Sequence, residues 1–595
     1  MLRKLYELLS ARERKRFGWL LVAIVLMGFF ETLGVASILP FMQLVSNPAA
    51  IQEHQVLRRA YGWSGADTSN QFLILVGAGV LVLLTVSNAV RGFTQWLQFR
   101  TVWVSAHGLS VRLLERYVTQ PYDFFLRSSS TDLGKEVLME MGELVKSVLV
   151  PLTDLAARLF VSLSLLVLLL AVDPKLALSV AGVLGTAYGL IYLVFRRALY
   201  RLGQDRYTAG RQRFKSATEA LQGIKAVKIG GRERYFLDKF TVASERYTSI
   251  QPTFQAISRT PRYFVETLAF GGILVIVLYL LTTQRTLTNV VPLLSLYALA
   301  GYRLLPAMQE IFSAVSQVRY HAAVVETIHE QFMRQTVRVE LPAASAQPLP
   351  LRQAITLQDL RFQYAGTDRP TLDGIDLVIP RNGSVAFVGP TGSGKSTLID
   401  ILVGLLQPHE GCVRVDGVPV TAENVRQWQA SIGYVPQEAM LFDDTVLRNI
   451  VFGVEEAAVD RARVEQAARV ARIHDFIMNE LPQGYETTVG ERGIRLSGGQ
   501  RQRIGLARAL YRQPSVLILD EATSALDGVT EEEVMEAIAG MRDQVTMIMV
   551  AHRLTTVADC DQIYLLDGGR VTDQGTYGEL IASNHLFRGM AKAVQ

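Results

Sequence analysis

The sequence predicts two fold classes in series, an α-helical transmembrane bundle of six spans followed by a soluble α/β domain. Three observations carry that reading. Hydrophobic residues make up 49% of the 595 positions and charged ones only 19%, where soluble domains run near a quarter charged. Six long apolar stretches fill the first half of the chain. Beyond residue 350, short apolar runs alternate with glycine turns and helical periods, the pattern of strands interleaved with helices. The 20 prolines and 46 glycines are ordinary usage and exclude a collagen-like or largely disordered chain. Cys412 and Cys560 are the only cysteines, which excludes a disulfide scaffold or a cysteine-rich zinc site and suits a reducing compartment. The 60 basic against 55 acidic residues leave a net charge of +5. With basic residues flanking apolar runs, anionic lipid is the expected partner and nucleic acid is not.

Taken in order, residues 1–16 form a basic segment with Arg3, Lys4, Arg12, Arg14, Lys15 and Arg16. The apolar stretches follow at 17–45, 71–104, 142–172, 176–199, 254–284 and 287–318. Each is long enough, at about 1.5 Å per residue, to cross a hydrocarbon core of about 30 Å. The first exceeds a signal-peptide core and carries Glu31, so it is expected to be retained. The fourth exits into Arg196, Arg197 and Arg201, which by the positive-inside rule puts that end and the basic N-terminal segment on the cytoplasmic side. Six spans return the chain to the side where it began, so both signals agree. Segment 46–70, with Arg58, Arg59, Tyr61 and Trp63, then faces outside as either a short interfacial helix or an unstructured loop. The connections at 173–175 and 285–286 are tight, whereas 105–141 and 200–253 are long, polar and helix-forming. Residues Pro121 to Phe125 read as a turn at the bottom of the first projection. The expected domains are the membrane bundle over 17–325, an Ala/Pro/Gln-rich linker over 326–352, and the soluble domain over 353–595.

The spans hold Glu31, Arg91, Arg158, Arg262, Glu266, Arg303 and Glu310. A charge at mid-bilayer costs about 2.5–3.5 kcal/mol on insertion scales, so such residues face a bundle interior or an aqueous cavity. Arg262 and Glu266 stand one helical turn apart, as do Asp154 and Arg158, and either pair can neutralise itself. Arg91 and Arg303 have no carboxylate within a turn and are the better candidates for holding an anion such as a pyrophosphate.

In the second half, the buried-strand run Val385–Val388 leads into Gly389, Pro390, Thr391, Gly392, Ser393, Gly394, Lys395, Ser396 and Thr397, and then into an apolar helix. This is the phosphate-binding loop in its strand–loop–helix setting, which makes the domain an α/β P-loop NTPase. Backbone N–H groups converge on the phosphates, Lys395 reaches the β- and γ-phosphates, and the Ser396 hydroxyl is a ligand for Mg²⁺. A second apolar run, Val516–Leu519, ends in Asp520 and Glu521. Asp520 is expected at the metal and Glu521 beside the attacking water, because phosphoryl transfer asks mainly for positioning and charge neutralisation. Between them Leu496 precedes Ser497, Gly498, Gly499 and Gln500, where Ser497 caps a helix whose N-terminus forms a second anion site.

These residues resemble the ATP-binding cassette of an ABC transporter, with Leu496–Gln500 matching its signature motif. A six-span bundle ahead of one cassette is similar to an ABC half-exporter. The resemblance implies ATP and Mg²⁺ as cofactors. It also implies that Tyr364 stacks on adenine, Gln437 contacts metal and water, Asp527 lies in the D-loop and His552 contacts the γ-phosphate. Thr488–Glu491 matches the loop that touches the membrane domain. One chain has one phosphate loop and one signature, so the resemblance implies a dimer; with every motif intact, a symmetric homodimer. Coupling is expected at the projection tips, Ser128–Gly134 and Gly210–Gly223. Leu39–Phe41, Thr260–Tyr263 and Tyr302–Pro306 resemble bacterial lipid-linked oligosaccharide flippases. That implies a polyprenyl-pyrophosphate glycan moved from the inner to the outer leaflet of a bacterial inner membrane, with Arg91, Arg262 and Arg303 countering the pyrophosphate. A lipid A, drug or peptide exporter is the alternative, and an ATP-gated channel or regulatory subunit a second one.

Overall fold

The computed structural model describes residues 1–46, 55–66, 68–172, 174–282, 291–334, 347–490, 493–522, 528–541, 544–551 and 553–592. They form two units, one of Met1–Val118 with Ser128–Thr336, the other of Thr119–Arg127 with Val337–Gln595.

The first unit is helical. Its first span, Ala11–Ala36, opens with a capping box in which Glu13 N–H donates to the Ser10 hydroxyl and Ser10 N–H donates to the Glu13 carboxylate. The chain turns at Ser37 and resumes as Ile38–Ser46. Segment 46–70 contains the helix Gln55–Ser64, whose Tyr61 ring meets Phe72 edge-on at 5.2 Å while Trp63 stays exposed. Longer helices follow at Ser69–Val118, Val150–Val172, Pro174–Gln222, Pro261–Thr282 and Val291–Tyr320. Over the described residues, Ala11–Met42, Ser69–Val118 and Ser130–Val172 are long and apolar enough to cross a membrane. Residues 173 and 285–286, read as tight returns, lie outside the described residues. Inside the bundle Leu20, Ile24, Val161, Leu165 and Phe312 pack together, while Trp19, Phe93 and Leu163 remain exposed, as side chains in contact with lipid would be.

The 50 residues of Ser69–Val118 and the 49 of Pro174–Gln222 far exceed a bilayer crossing. Their surplus forms the projections, but the tips differ from expectation. The short helix Tyr122–Leu126, entered through Pro121, falls in the segment Thr119–Arg127 that groups with the cassette, whereas Ser128–Gly134 stays with the helical unit. In the second projection, residues 210–222 are the unbroken end of a helix. The reversal comes afterwards, around the helix Ile224–Ile229 and the Gly230–Gly231 turn. The physical reason is legible: no proline interrupts 210–222, and Gly231 supplies the left-handed backbone, at φ +57°, that the turn needs.

In the second unit an antiparallel sheet joins β1 (Ala354–Phe362), β2 (Leu372–Pro380), β4 (Glu410–Val415) and β5 (Val418–Pro419) in the order β2-β1-β4-β5. The larger sheet holds β3 (Ser384–Val388), β6 (Ile432–Val435), β7 (Val516–Asp520), β8 (Thr546–Val550), β9 (Gln562–Asp567) and β10 (Arg570–Gly575) in the order β10-β9-β3-β8-β7-β6. All its pairings are parallel except β9 with β10. Strands β3 and β8 are buried at every position, which explains their unalternating apolar runs: both faces are covered. One face carries Ile399, Leu402 and Trp428, the other Ile504, Ala507 and Val534. The parallel order sets the carboxyl ends of β3, β6, β7 and β8 along one edge, where ligands bind in such sheets.

Candidate functional site

The phosphate loop leaves β3 at Gly389, where a Cβ would lie 2.0 Å from the Leu566 carbonyl oxygen, so no side chain fits. At Gly394 a φ of +102° reverses the backbone into the helix Lys395–Leu402. Lys395 is buried and its ammonium donates to the carbonyls of Gly389 at 2.8 Å and Pro390 at 3.0 Å, folding over the loop. Desolvation holds that ammonium below its ordinary pKa, while Glu521 and Asp520 pull the other way. Ser396 is exposed in the first turn, and Thr397 is buried with its hydroxyl 3.1 Å from that of Tyr364. The Tyr364 ring stands edge-on to Phe362. It therefore sits beside the loop, as a nucleotide-stacking residue must.

At the neighbouring strand end, Tyr434 donates its hydroxyl to Asp520 at 3.1 Å, and the Gln437 side-chain amide donates to Glu521 at 2.7 Å. Burial first, and Asp520 second, push the Tyr434 phenol above its ordinary range, so it remains a donor. Glu521 has φ +50°, the left-handed region, which costs a non-glycine residue about 1–3 kcal/mol and clusters at functional sites. Its N–H is held by the Val550 carbonyl at 2.9 Å, which aims the residue off the end of β7. The donor set fits Mg²⁺: the Ser396 hydroxyl, the Asp520 carboxylate and the Gln437 amide oxygen are hard oxygen ligands, and the amide nitrogen of Gln437 is engaged by Glu521.

Two contributors escaped the sequence reading. Gln502, buried in the helix Gly498–Tyr511, donates to the carbonyls of Gln437 at 3.2 Å and Glu521 at 3.4 Å, tying three elements together. A lone amide on the apolar face of that helix was the available signal. Asp400 lies one turn after Ser396, and burial with the nearby Asp520 raises its pKa to about 6. Tyr122, from the segment Thr119–Arg127, is within electrostatic reach of Asp400 and Tyr364.

Ser497 caps its helix as expected, with Gln500 N–H donating to its hydroxyl and Ser497 N–H donating to the Gln500 side chain, and Gly498 and Gly499 form the first turn. Among the described residues no hydrogen bond joins Ser497–Gln500 to the loop 389–397. Asp527 and His552 lie outside the described residues, as does Glu491 of the 488–491 loop.

In the membrane unit the charges pair differently from expectation. Arg91 is not isolated: it meets Glu31 of the first span at 3.6 Å, a partner 60 positions away that a search within one helix cannot find. Arg158 pairs with Glu310 rather than Asp154, whose carboxylate accepts from Gln98 at 2.6 Å. Arg262 does pair with Glu266, at 2.6 Å. Tyr188 donates to Gln309, which donates in turn to the Ser258 carbonyl. The side chain of Arg303 lies outside the described ones.

A phosphate loop and a carboxylate-tipped strand on one parallel edge, in a chain that also carries lipid-facing helices, define a membrane-bound nucleotide hydrolase. Residues 372–524 match the family model "ABC transporter" and residues 36–304 match "ABC transporter transmembrane region". An ATP-dependent lipid A-core flippase of Saccharophagus degradans is 32% identical over 531 residues, 86% of each chain. One of Cupriavidus pinatubonensis is 30% identical over 517 residues, again 86% of each. An uncharacterized ABC transporter ATP-binding protein of Sinorhizobium fredii is 31% identical over 552 residues, 90% of this chain and 91% of that one. A solved structure of a bacterial Atm1-family ABC exporter with ATP bound covers 98% of this chain and is itself covered to 99%, with a TM-score of 0.77 at 24% identity, a likeness of fold. The chain belongs to the ABC transporter family: it is a membrane-spanning exporter whose cassette binds and hydrolyses ATP.

Proposed function

We propose that this chain, as a homodimer in a bacterial inner membrane, flips an anionic glycolipid of the lipid A-core class from the cytoplasmic to the outer leaflet. The observation that carries the reading is the match, at about 30% identity along 86% of both lengths, to proteins named for that activity. It favours the lipid A alternative over a polyprenyl-pyrophosphate oligosaccharide, which rests on three short stretches. Both substrates join phosphate to long apolar chains, and the arginines of the bundle suit either.

In the hydrolysis step, Lys395 and the loop amides bind and neutralise the phosphates of ATP, Tyr364 lies against the base, and Glu521, oriented by Gln437, polarises the attacking water. Ser396, Asp520 and Gln437 would hold Mg²⁺, which would supply charge neutralisation when bound. Ser497–Gln500 of one copy completes the site on the other, and closure of the pair drives the helices through the projections. His552 and Asp527 are assigned to the γ-phosphate and the dimer seam.

The experiment is reconstitution into liposomes with three cargoes, a lipid A-core glycolipid, a polyprenyl-pyrophosphate glycan and a zwitterionic phospholipid, scoring ATP-dependent translocation. Selective movement of the first supports the proposal. Selective movement of the second restores the oligosaccharide reading, and ATP consumption with no movement of any overturns the flippase assignment.

A further inference from the structure

We propose that the cytoplasmic end of the membrane unit carries a binding site for an anionic phospholipid of the inner leaflet, separate from the transport cargo. A cavity of about 340 Å³ opens there between the N-terminal helix Leu2–Leu8 and the third, fourth and sixth spans. That is room for about eleven waters at 30 Å³ each, but its walls are mostly apolar and offer water few partners. Leu152, Leu155, Val315 and Val318 line it, and Lys4 and Arg319 stand in its wall.

The charge pattern selects the occupant. Among the described residues neither Lys4 nor Arg319 forms an ion pair with a carboxylate; the Arg319 guanidinium rests over the Tyr200 ring, 4.8 Å from its centroid. Glu326 is the one acidic residue in the lining, leaving an excess of positive charge beside an apolar slot. An acyl chain fills such a slot, and a lipid phosphate answers two cations that otherwise have none. The basic residues Arg3, Arg12, Arg14, Lys15 and Arg16 place this end of the bundle at the cytoplasmic surface, where anionic headgroups lie. A free phosphate anion satisfies the cations but leaves the apolar walls wet, so the lipid is the better fit.

The test uses the full chain in nanodiscs of phosphatidylcholine with and without phosphatidylglycerol, scoring retained lipid by native mass spectrometry. The wild type should retain phosphatidylglycerol over phosphatidylcholine. Each basic residue near a membrane surface contributes about a fivefold preference, so K4Q/R319Q should reduce retention about 25-fold. R12Q/K15Q removes as much charge from exposed positions of the same basic segment that do not line the cavity and should change retention little. V315F should expel the lipid with both cations in place. Equal losses in the two charge variants would show a diffuse surface field and overturn the site. So would full retention in V315F, competition by inorganic phosphate alone, or a disulfide cross-link between two copies carrying V315C, showing that a second copy covers the cavity. Thermal unfolding of each variant checks that it is folded.

Discussion

The side-chain amide of Gln437 donates to the carboxylate of Glu521 at 2.7 Å, so the residue best placed to polarise water is oriented by a neighbour on the adjacent strand's exit loop. Gln502 adds a second restraint through the Glu521 main chain. Replacing Glu521 by Gln keeps the shape and removes the base. Phosphate release should fall by about 10²–10⁴, the usual worth of general-base catalysis, while ATP binding is retained. Gln437→Ala should cost less, because the carboxylate survives and only its aim is lost. Unchanged phosphate release in E521Q would remove the catalytic assignment.

Asp400 gives the cassette a pH signature. Its pKa is raised to about 6 from an ordinary 3.8, by burial and then by Asp520, so between those values the folded state holds more protons than the unfolded one. Stability must therefore fall as pH rises through that window, and the penalty is complete above it. A pKa that differs by one between the folded and unfolded states corresponds to about 1.4 kcal/mol, but Asp400 is only half-buried and solvent screening reduces the whole effect to about 1 kcal/mol. Asp400→Asn should raise the nucleotide-free melting temperature at pH 7.5 by about 2–4 °C, the change that 1 kcal/mol brings to a domain of this size. The gain should vanish near pH 4. An equal gain at both pH values would point to packing instead.

What the sequence reveals and conceals follows from range. The phosphate loop, the Asp520–Glu521 strand end and the Ser497 cap are local patterns, and each stands where its neighbours in sequence put it. Pairings between helices are not local: nothing near Arg91 announces Glu31, and Arg158 had an apparent partner in Asp154 one turn away. The same limit hid the two π-helical turns, Glu136–Glu140 and Val145–Leu149, which flank Met141–Leu144 and depend on what the helix packs against. Gln502 was visible as an amide one turn before Gly505 and Leu506 on its helix, but its partners were not.

Among the described glycines of the membrane unit, Gly203 makes the closest approach to another helix. A Cβ there would sit 1.9 Å from the Tyr320 carbonyl oxygen, backbone that cannot swing aside, while the Tyr320 ring is stacked on Phe254 at 3.8 Å. Helix propensity favours alanine over glycine by about 1 kcal/mol, so a stabilising Gly203→Ala is the expectation from local rules. The clash should reverse it, since overpacking costs about 1–3 kcal/mol or more. Thermal unfolding of the full chain in detergent decides the sign, and a raised melting temperature would show that the two helices can part.

Arg158 and Glu310 join the third and sixth spans, and their pairing is tested by a double-mutant cycle rather than by either residue alone. Glu310→Gln leaves an arginine among apolar helices without its carboxylate, a position worth about 2.5–3.5 kcal/mol on insertion scales. Arg158→Gln leaves the opposite charge, with Glu310 more exposed and able to reach water, so that variant should be the milder. Removing both charges takes away the penalty along with the attraction, and the double variant should unfold closer to the wild type than Glu310→Gln does. Transport separates structure from function in the same set. If the pair opens to let the arginine face an anionic headgroup, the double variant regains stability but not lipid-stimulated ATPase activity. If the pair only staples the two spans, both return together. Additive losses in the two single variants would mean that the contact contributes no coupling.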